Sequence, residues 1–173
     1  AAFEYEPSFL RKRLEIAPLM MPLNSEIYSF PELNDETFYG LPGLLADSLP
    51  DRYGTRLIEV WLEKQGRSLK NFNPIERLCY MGSRGMGALE FAPALVTSKK
   101  AVRVEISELV TLARKILSEK EDLLVNLSKD ESTALETIIR VGTSAVGARA
   151  KAVIAWNPET KDVRSGQVQA PEG

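Results

Sequence analysis

The chain has 173 residues, is 44% hydrophobic and 27% charged, and carries a formal net charge of −2. That composition suits one or two small globular domains and excludes a global basic field that would recruit nucleic acid by charge alone. There is no histidine, which excludes a Ser-His-Asp triad, a Cys-His pair and a two-histidine metal site within this chain. Catalysis would rest on carboxylates, lysines or a borrowed partner. The single cysteine, Cys79, excludes an intrachain disulfide framework and fits a reducing cytoplasm. No apolar run is long enough for a bilayer span and no signal-peptide pattern opens the chain. The abrupt start at Ala1, with no Met, leads to the expectation of further residues upstream.

Ala2-Phe3-Glu4-Tyr5-Glu6 alternates apolar and acidic residues, the period of a strand. Its partner strand is expected before residue 1. Leu14-Glu15-Ile16-Ala17-Pro18 is a second extended candidate, limited to an edge by Pro18 and Pro22, and Tyr28–Pro31 is a third. From Phe38 the punctuation changes. Gly40, Pro42 and Gly43 precede a short apolar helix that Pro50 ends. Thr55–Gln65 reads as a helix closed by Gly66, with Leu57, Val60, Trp61 and Lys64 at helical spacing. The Lys64 stem can lie along that seam.

Asn73-Pro74-Ile75-Glu76 carries the signals of a helix start: a capping Asn, Pro at the first helical position, and Glu three residues after the cap. The helix Ile75–Met81 is apolar on most sides and is expected to be buried. Gly82-Ser83-Arg84-Gly85-Met86-Gly87 follows, then Ala88–Pro93 as an expected strand. The glycines, Ser83 and Arg84 could cradle an anion, but the order helix, cluster, strand is the reverse of a dinucleotide fingerprint. A helix-to-strand turn is the preferred reading.

Val96–Ala101 reads as a polar linker, placing a domain boundary near residues 97–102. Val104–Ser118 follows as a helix with one apolar stripe: Ile106, Leu109, Val110, Ala113, Ile116 and Leu117. Early Glu105 and Glu108 and late Arg114 and Lys115 suit the helix dipole. Glu119–Asp122 and Lys129–Ser132 are charged boundaries, and Thr133–Ile139 is a short helix or an approach strand.

Gly142-Thr143-Ser144-Ala145-Val146-Gly147-Ala148-Arg149-Ala150-Lys151 is rich in small residues and ends in two cations. Such a loop lets backbone N–H groups approach a phosphate. It is not a Walker A loop, since Ala148 stands where Lys is required, and it does not fit G-x-G-x-x-G. Lys151–Trp156, a turn at Asn157–Thr160 and Asp162–Val168 make a β-hairpin after it. A glycine-rich loop entering a hairpin is the arrangement of a nucleotide lid in kinase-like lobes. From the residues alone, a phosphate loop and a loop of small residues for close packing remain equal alternatives.

Three stretches carry a family resemblance: 40–54, then 73–78 with 82–89, and finally 142–152. In that order they resemble the HipA-like toxin serine/threonine kinases over nearly the whole chain. The resemblance implies an α+β fold: an N-terminal subdomain of mixed strands and short helices over residues 1–100, then the start of a kinase-like N-lobe, with glycine-rich loop and hairpin, over 101–173. It implies that Ser144 is the autophosphorylated loop serine. It also implies that Val146, Gly147, Ala148, Arg149, Ala150 and Lys151 contact nucleotide phosphate. Val146 is bulkier than the Gly or Ala usual at its position.

The family's ATP-contacting lysine and its catalytic and metal-binding aspartates match no position here, so this segment is expected to have no catalytic or metal-binding residue of its own and to be inactive alone. ATP and Mg²⁺ would serve the full-length protein. The implied partners are a HipB-like helix-turn-helix antitoxin and a protein substrate, with DNA reached only through the antitoxin, and with no membrane. A non-catalytic interaction module binding a kinase partner is the alternative, and a solitary nucleotide-binding domain a third reading.

Overall fold

The structure is a computed structural model, and it describes residues 1–85, 88–96, 106–107, 110–111, 113, 137–138 and 154–165. The chain divides into two compact units, Ala1–Leu49 and Pro50–Gly173. The expected boundary near residues 97–102 lies outside the described residues.

In the first unit, β1 (Ala2–Phe3) pairs antiparallel with β2 (Tyr28–Ser29), in the register Ala2↔Ser29 and Phe3↔Tyr28. The partner in the structure is this downstream segment, where the sequence had pointed to one before residue 1. The segment that returns at Tyr28 takes β1's hydrogen-bonding edge, and aromatic contacts hold it there. Tyr28 meets Tyr5 edge-on at 6.3 Å, and Phe3 lies 6.4 Å from Phe30. The Tyr5 hydroxyl donates to the Met21 carbonyl at 2.7 Å, tying down the chain between the strands.

Leu14–Pro18 is not a strand. It leads into a turn closed by Met21 N–H on the Ala17 carbonyl at 2.8 Å, where Pro18 has no N–H to give a ladder and its fixed φ favours turning. Three helices of one turn each complete the unit: α1 (Pro7–Leu10), α2 (Asp35–Phe38) and α3 (Gly43–Ala46). Asn34 caps α2 by accepting from Thr37 N–H at 2.9 Å. Met21, Phe30 and Leu41 are buried.

In the second unit, α4 (Arg52–Glu63) begins three residues before the expected Thr55. The reason is a cap: Asp51 Oδ1 accepts from Gly54 N–H at 2.7 Å, which draws Gly54 into the first turn as a helical residue rather than a breaker. The helix ends at Glu63, two residues short of the expected Gln65, but the expected glycine closes it. Gly66 has φ +68, and Arg67 N–H reaches back to the Leu62 carbonyl at 3.0 Å, the closing bond of a helix stopped by a left-handed glycine. The buried face is wider than the expected seam, since Tyr53, Ile58 and Leu62 join Leu57 and Val60. Lys64 lies just past the helix and is exposed.

A short 3-10 helix (Leu69–Asn71) leads to α5 (Pro74–Met81). Its capping box is present in full. Asn73 Oδ1 accepts from Glu76 N–H at 3.0 Å, and Glu76 Oε2 accepts from Asn73 N–H at 3.0 Å. Leu78, Tyr80 and Met81 are buried, but Ile75 in the first turn is exposed, which corrects the expectation of burial on most sides.

The core joins Tyr53, Leu57, Ile58, Val60 and Leu62 of α4 to Phe72, Tyr80 and Met81. Trp61 packs at its margin, 5.0 Å edge-on from Tyr80 and 6.0 Å from Phe72. Each fully buried aliphatic side chain here stabilises the fold by about 1.5–3 kcal/mol.

Residues 106, 107, 110, 111 and 113 are helical, in agreement with the expected helix at those positions. The stripe is not buried as a unit: Ala113 enters the core, while Ile106 and Val110 are exposed. Leu109, Ile116 and Leu117 lie outside the described residues. Thr137 and Ile138 are helical, and Ile138 is in the core. β3 (Ile154–Trp156) pairs antiparallel with β4 (Val163–Ser165) in the register Ile154↔Ser165, Ala155↔Arg164 and Trp156↔Val163. This is the expected hairpin.

Candidate functional site

The residues that the sequence singled out, Ser144, Val146, Gly147, Ala148, Arg149, Ala150 and Lys151, all lie outside the described residues. The hairpin that follows them is described. Its turn is set by Asn157, whose Oδ1 accepts from Glu159 N–H at 2.9 Å and Thr160 N–H at 3.0 Å. That is a side-chain mimic of a backbone turn. The Lys161 ammonium then stands 5.4 Å from the centre of the Trp156 ring. Ile154 and Trp156, on one face of β3, are both exposed.

The first glycine cluster forms a turn, but not the expected helix-to-strand turn. Residues 88–93 form no strand. Instead the chain doubles back on the end of α5. Phe91 N–H donates to the Gly82 carbonyl at 3.0 Å and Leu95 N–H to the Cys79 carbonyl at 2.9 Å. The reversal brings Ala94 so close that a Cβ on Gly82 would sit 2.9 Å from the Ala94 Cβ. Arg84, the cation of the anion-cradle reading, is 3% exposed. Its guanidinium lies 4.7 Å from the Tyr80 ring centre and donates to the Tyr80 carbonyl. It serves packing rather than a surface anion. Met86 and Gly87 lie outside the described residues.

Burial governs the titration of this cluster. It pushes the Tyr80 phenol up to about 12, with the Arg84 charge pulling the other way, and it also raises Tyr53. The same burial lowers Arg84 from its ordinary value. Each shift disfavours the charged form of a group removed from water.

A groove of about 620 Å³ opens beside α4, lined by Arg56, Glu59, Glu63, Ser68, Leu69, Lys70 and Arg77. Arg56 is paired to Glu59 at 2.8 Å, and Arg77 Nε donates to the Phe72 carbonyl at 3.3 Å. The lining provides ion pairing and one hydroxyl, with no imidazole to act as its base. Sequence reading missed this groove. The i,i+3 pair Arg56 and Glu59 on the polar side of α4 was the available signal. Among the described residues no group of three or more potential ligands could hold a metal ion, and no helix is long and apolar enough to cross a membrane.

Among the described residues, helices with two small antiparallel strand pairs make this an α+β chain. The model of the HipA N-terminal domain family matches residues 1–92, and the chain belongs to that family. That span contains two of the three stretches on which the resemblance rests, 40–54 and 73–89, but not 142–152. No curated protein and no solved structure matches the chain.

Proposed function

We propose that the chain is the N-terminal part of a HipA-like serine/threonine kinase of a type II toxin–antitoxin system. In this reading Gly142–Lys151 is the phosphate-contacting loop and Ser144 its autophosphorylation site. The observation that carries it is family membership over residues 1–92, followed in the same sequence by the small-residue stretch Gly142–Lys151 and, after it, the hairpin Ile154–Ser165.

The roles follow from side-chain chemistry. Gly147, Ala148 and Ala150 leave backbone N–H groups open to a phosphate, while Arg149 and Lys151 supply cations. ATP with Mg²⁺ supplies the transferable phosphoryl group when bound to the full-length protein. A phosphate on Ser144 carries a charge of about −1.5 to −2 and competes with nucleotide for Arg149 and Lys151, so the modification switches the loop off. The catalytic and metal-holding side chains are supplied by no residue of 1–173. These residues alone are inactive and bind ATP weakly or not at all. A HipB-like antitoxin and a protein substrate are the partners, in the cytoplasm, with DNA reached through the antitoxin.

The test is incubation of the full-length kinase with ATP and Mg²⁺, followed by phosphosite mapping. Phosphate on Ser144, absent from Ser144→Ala, is the expected result. Phosphoryl transfer to substrate with Ser144 unmodified would overturn the switch. Micromolar ATP affinity of residues 1–173 by calorimetry would overturn the partial-cleft reading.

A second reading, a non-catalytic module that binds a kinase partner, is favoured by a family match that stops at residue 92, short of the loop. It predicts a stable complex with a separate kinase chain and no phosphorylation at Ser144.

A further inference from the structure

Residues 1–49 contain eight carboxylates and only three cations, and all three cations are consecutive: Arg11, Lys12 and Arg13. All three are exposed. They follow α1 directly and open a loop whose apolar side chains face solvent. Leu14 is 56% exposed, Ile16 43% and Leu19 94%. Single exposed apolar residues need no explanation, but several in one short loop beside a concentrated charge mark an interaction surface.

A second observation comes from the backbone. Arg13 has φ +53, a left-handed conformation that glycine takes at less cost than any side chain. It ends the turn that follows α1, with its N–H on the Leu10 carbonyl at 3.2 Å, and so sets the direction in which the apolar loop leaves the three cations.

We infer that Arg11–Arg13 with Leu14, Ile16 and Leu19 form a docking surface for an acidic protein segment that carries apolar anchors. Charge complementarity identifies the occupant. Carboxylates of the segment pair with the three cations, and its apolar side chains cover the loop. An anionic membrane and a nucleic acid are the competing occupants. Both are extended polyanions that also meet the eight carboxylates of this unit, and the chain as a whole is net negative. Their field opposes a polyanion along its whole length over roughly a Debye length of about 8–10 Å, whereas a short segment meets the three cations with one carboxylate among them, Glu15, exposed between Leu14 and Ile16.

The test is selection of short peptides from a displayed random library on the whole chain, followed by binding measurements with the selected peptides. Two variants probe the surface: Arg11→Glu/Lys12→Glu/Arg13→Glu for its charge and Leu19→Ser for its anchor. Leu19 is almost fully exposed, so its replacement leaves the fold intact, and circular dichroism verifies this for both variants. Peptides that combine Asp or Glu with Leu, Phe or Trp are expected, with affinity falling about tenfold or more in each variant. Added salt should weaken their binding to the parent chain. Selected peptides without acidic positions, or equal affinity for parent and charge variant, would overturn the assignment. So would tighter patch-dependent binding of phosphatidylserine vesicles or duplex DNA than of any peptide.

Discussion

Gly66 and Gly82 both have positive φ, yet they hold their turns for different reasons. Gly66 meets no atom within 4 Å of an added Cβ, so only the backbone conformation asks for glycine. Gly82 faces the Ala94 Cβ at 2.9 Å as well. Gly66→Ala should therefore cost about 1–2 kcal/mol from conformation alone, and Gly82→Ala roughly 2–4 kcal/mol from conformation plus overpacking. Denaturant unfolding of the two variants checks the order, and equal losses would show that the Ala94 approach is not limiting. Both glycines were legible as turn formers. The contact with Ala94 was not, because it depends on the chain doubling back twelve residues later. Arg84 shows the same limit at one residue. Its glycine-rich neighbours give it the look of a ligand-binding cation, while its actual place, stacked on Tyr80, follows from the packing of α5.

At the scale of elements, α5 was the most readable because its start is set by bonds three residues apart. Asn73→Ala should remove the cap and cost about 1 kcal/mol, measured by thermal or urea unfolding. The same box responds to acid. The Arg67 hydrogen bond, and next the backbone bond from Asn73, hold the Glu76 carboxyl below its ordinary 4.5. A depressed carboxylate lends stability that is present above the unfolded value and lost as pH falls through the lower folded one. The unfolding midpoint should drop as pH falls below about 4.5, and Glu76→Gln should flatten that part of the profile. The effect should be modest and salt-sensitive, since both partners are substantially exposed. α4 was readable apart from its first turn, where Asp51 acts through a single local bond. Strand pairing was not readable in the same way. β1 is two residues long, and its partner was settled by aromatic contacts across a loop of more than twenty residues.

Across the whole molecule, burial governs the response to alkali. Tyr53 and Tyr80 belong to one core and both have raised values, Tyr80 to about 12 from 10.0. A raised phenol lends stability that is complete below the unfolded value and lost as pH rises through the folded one. Stability should therefore decline from pH 10 toward about 12. The share of tyrosinate absorbance due to Tyr53 and Tyr80, read as the difference from a Tyr53→Phe/Tyr80→Phe variant because the chain has five tyrosines, should appear together with the loss of helical circular dichroism; ionisation of both phenols with the helices intact would contradict burial as the cause.

Composition and local pattern were enough to establish much of this protein. The absence of histidine ruled out histidine-built sites within these 173 residues, the capping box placed α5, and the stretches at 40–54 and at 73–78 with 82–89 led to the HipA N-terminal domain family. These features are encoded within a few residues, where hydrogen bonds and backbone conformation act directly. Tertiary structure alone decided that β2 pairs with β1, that Arg84 turns inward, and that Ile106 and Val110, like Leu14, Ile16 and Leu19 after the basic tripeptide, remain exposed. Burial and strand pairing depend on which distant surfaces exclude water together, and no short stretch of sequence contains both sides of that contact.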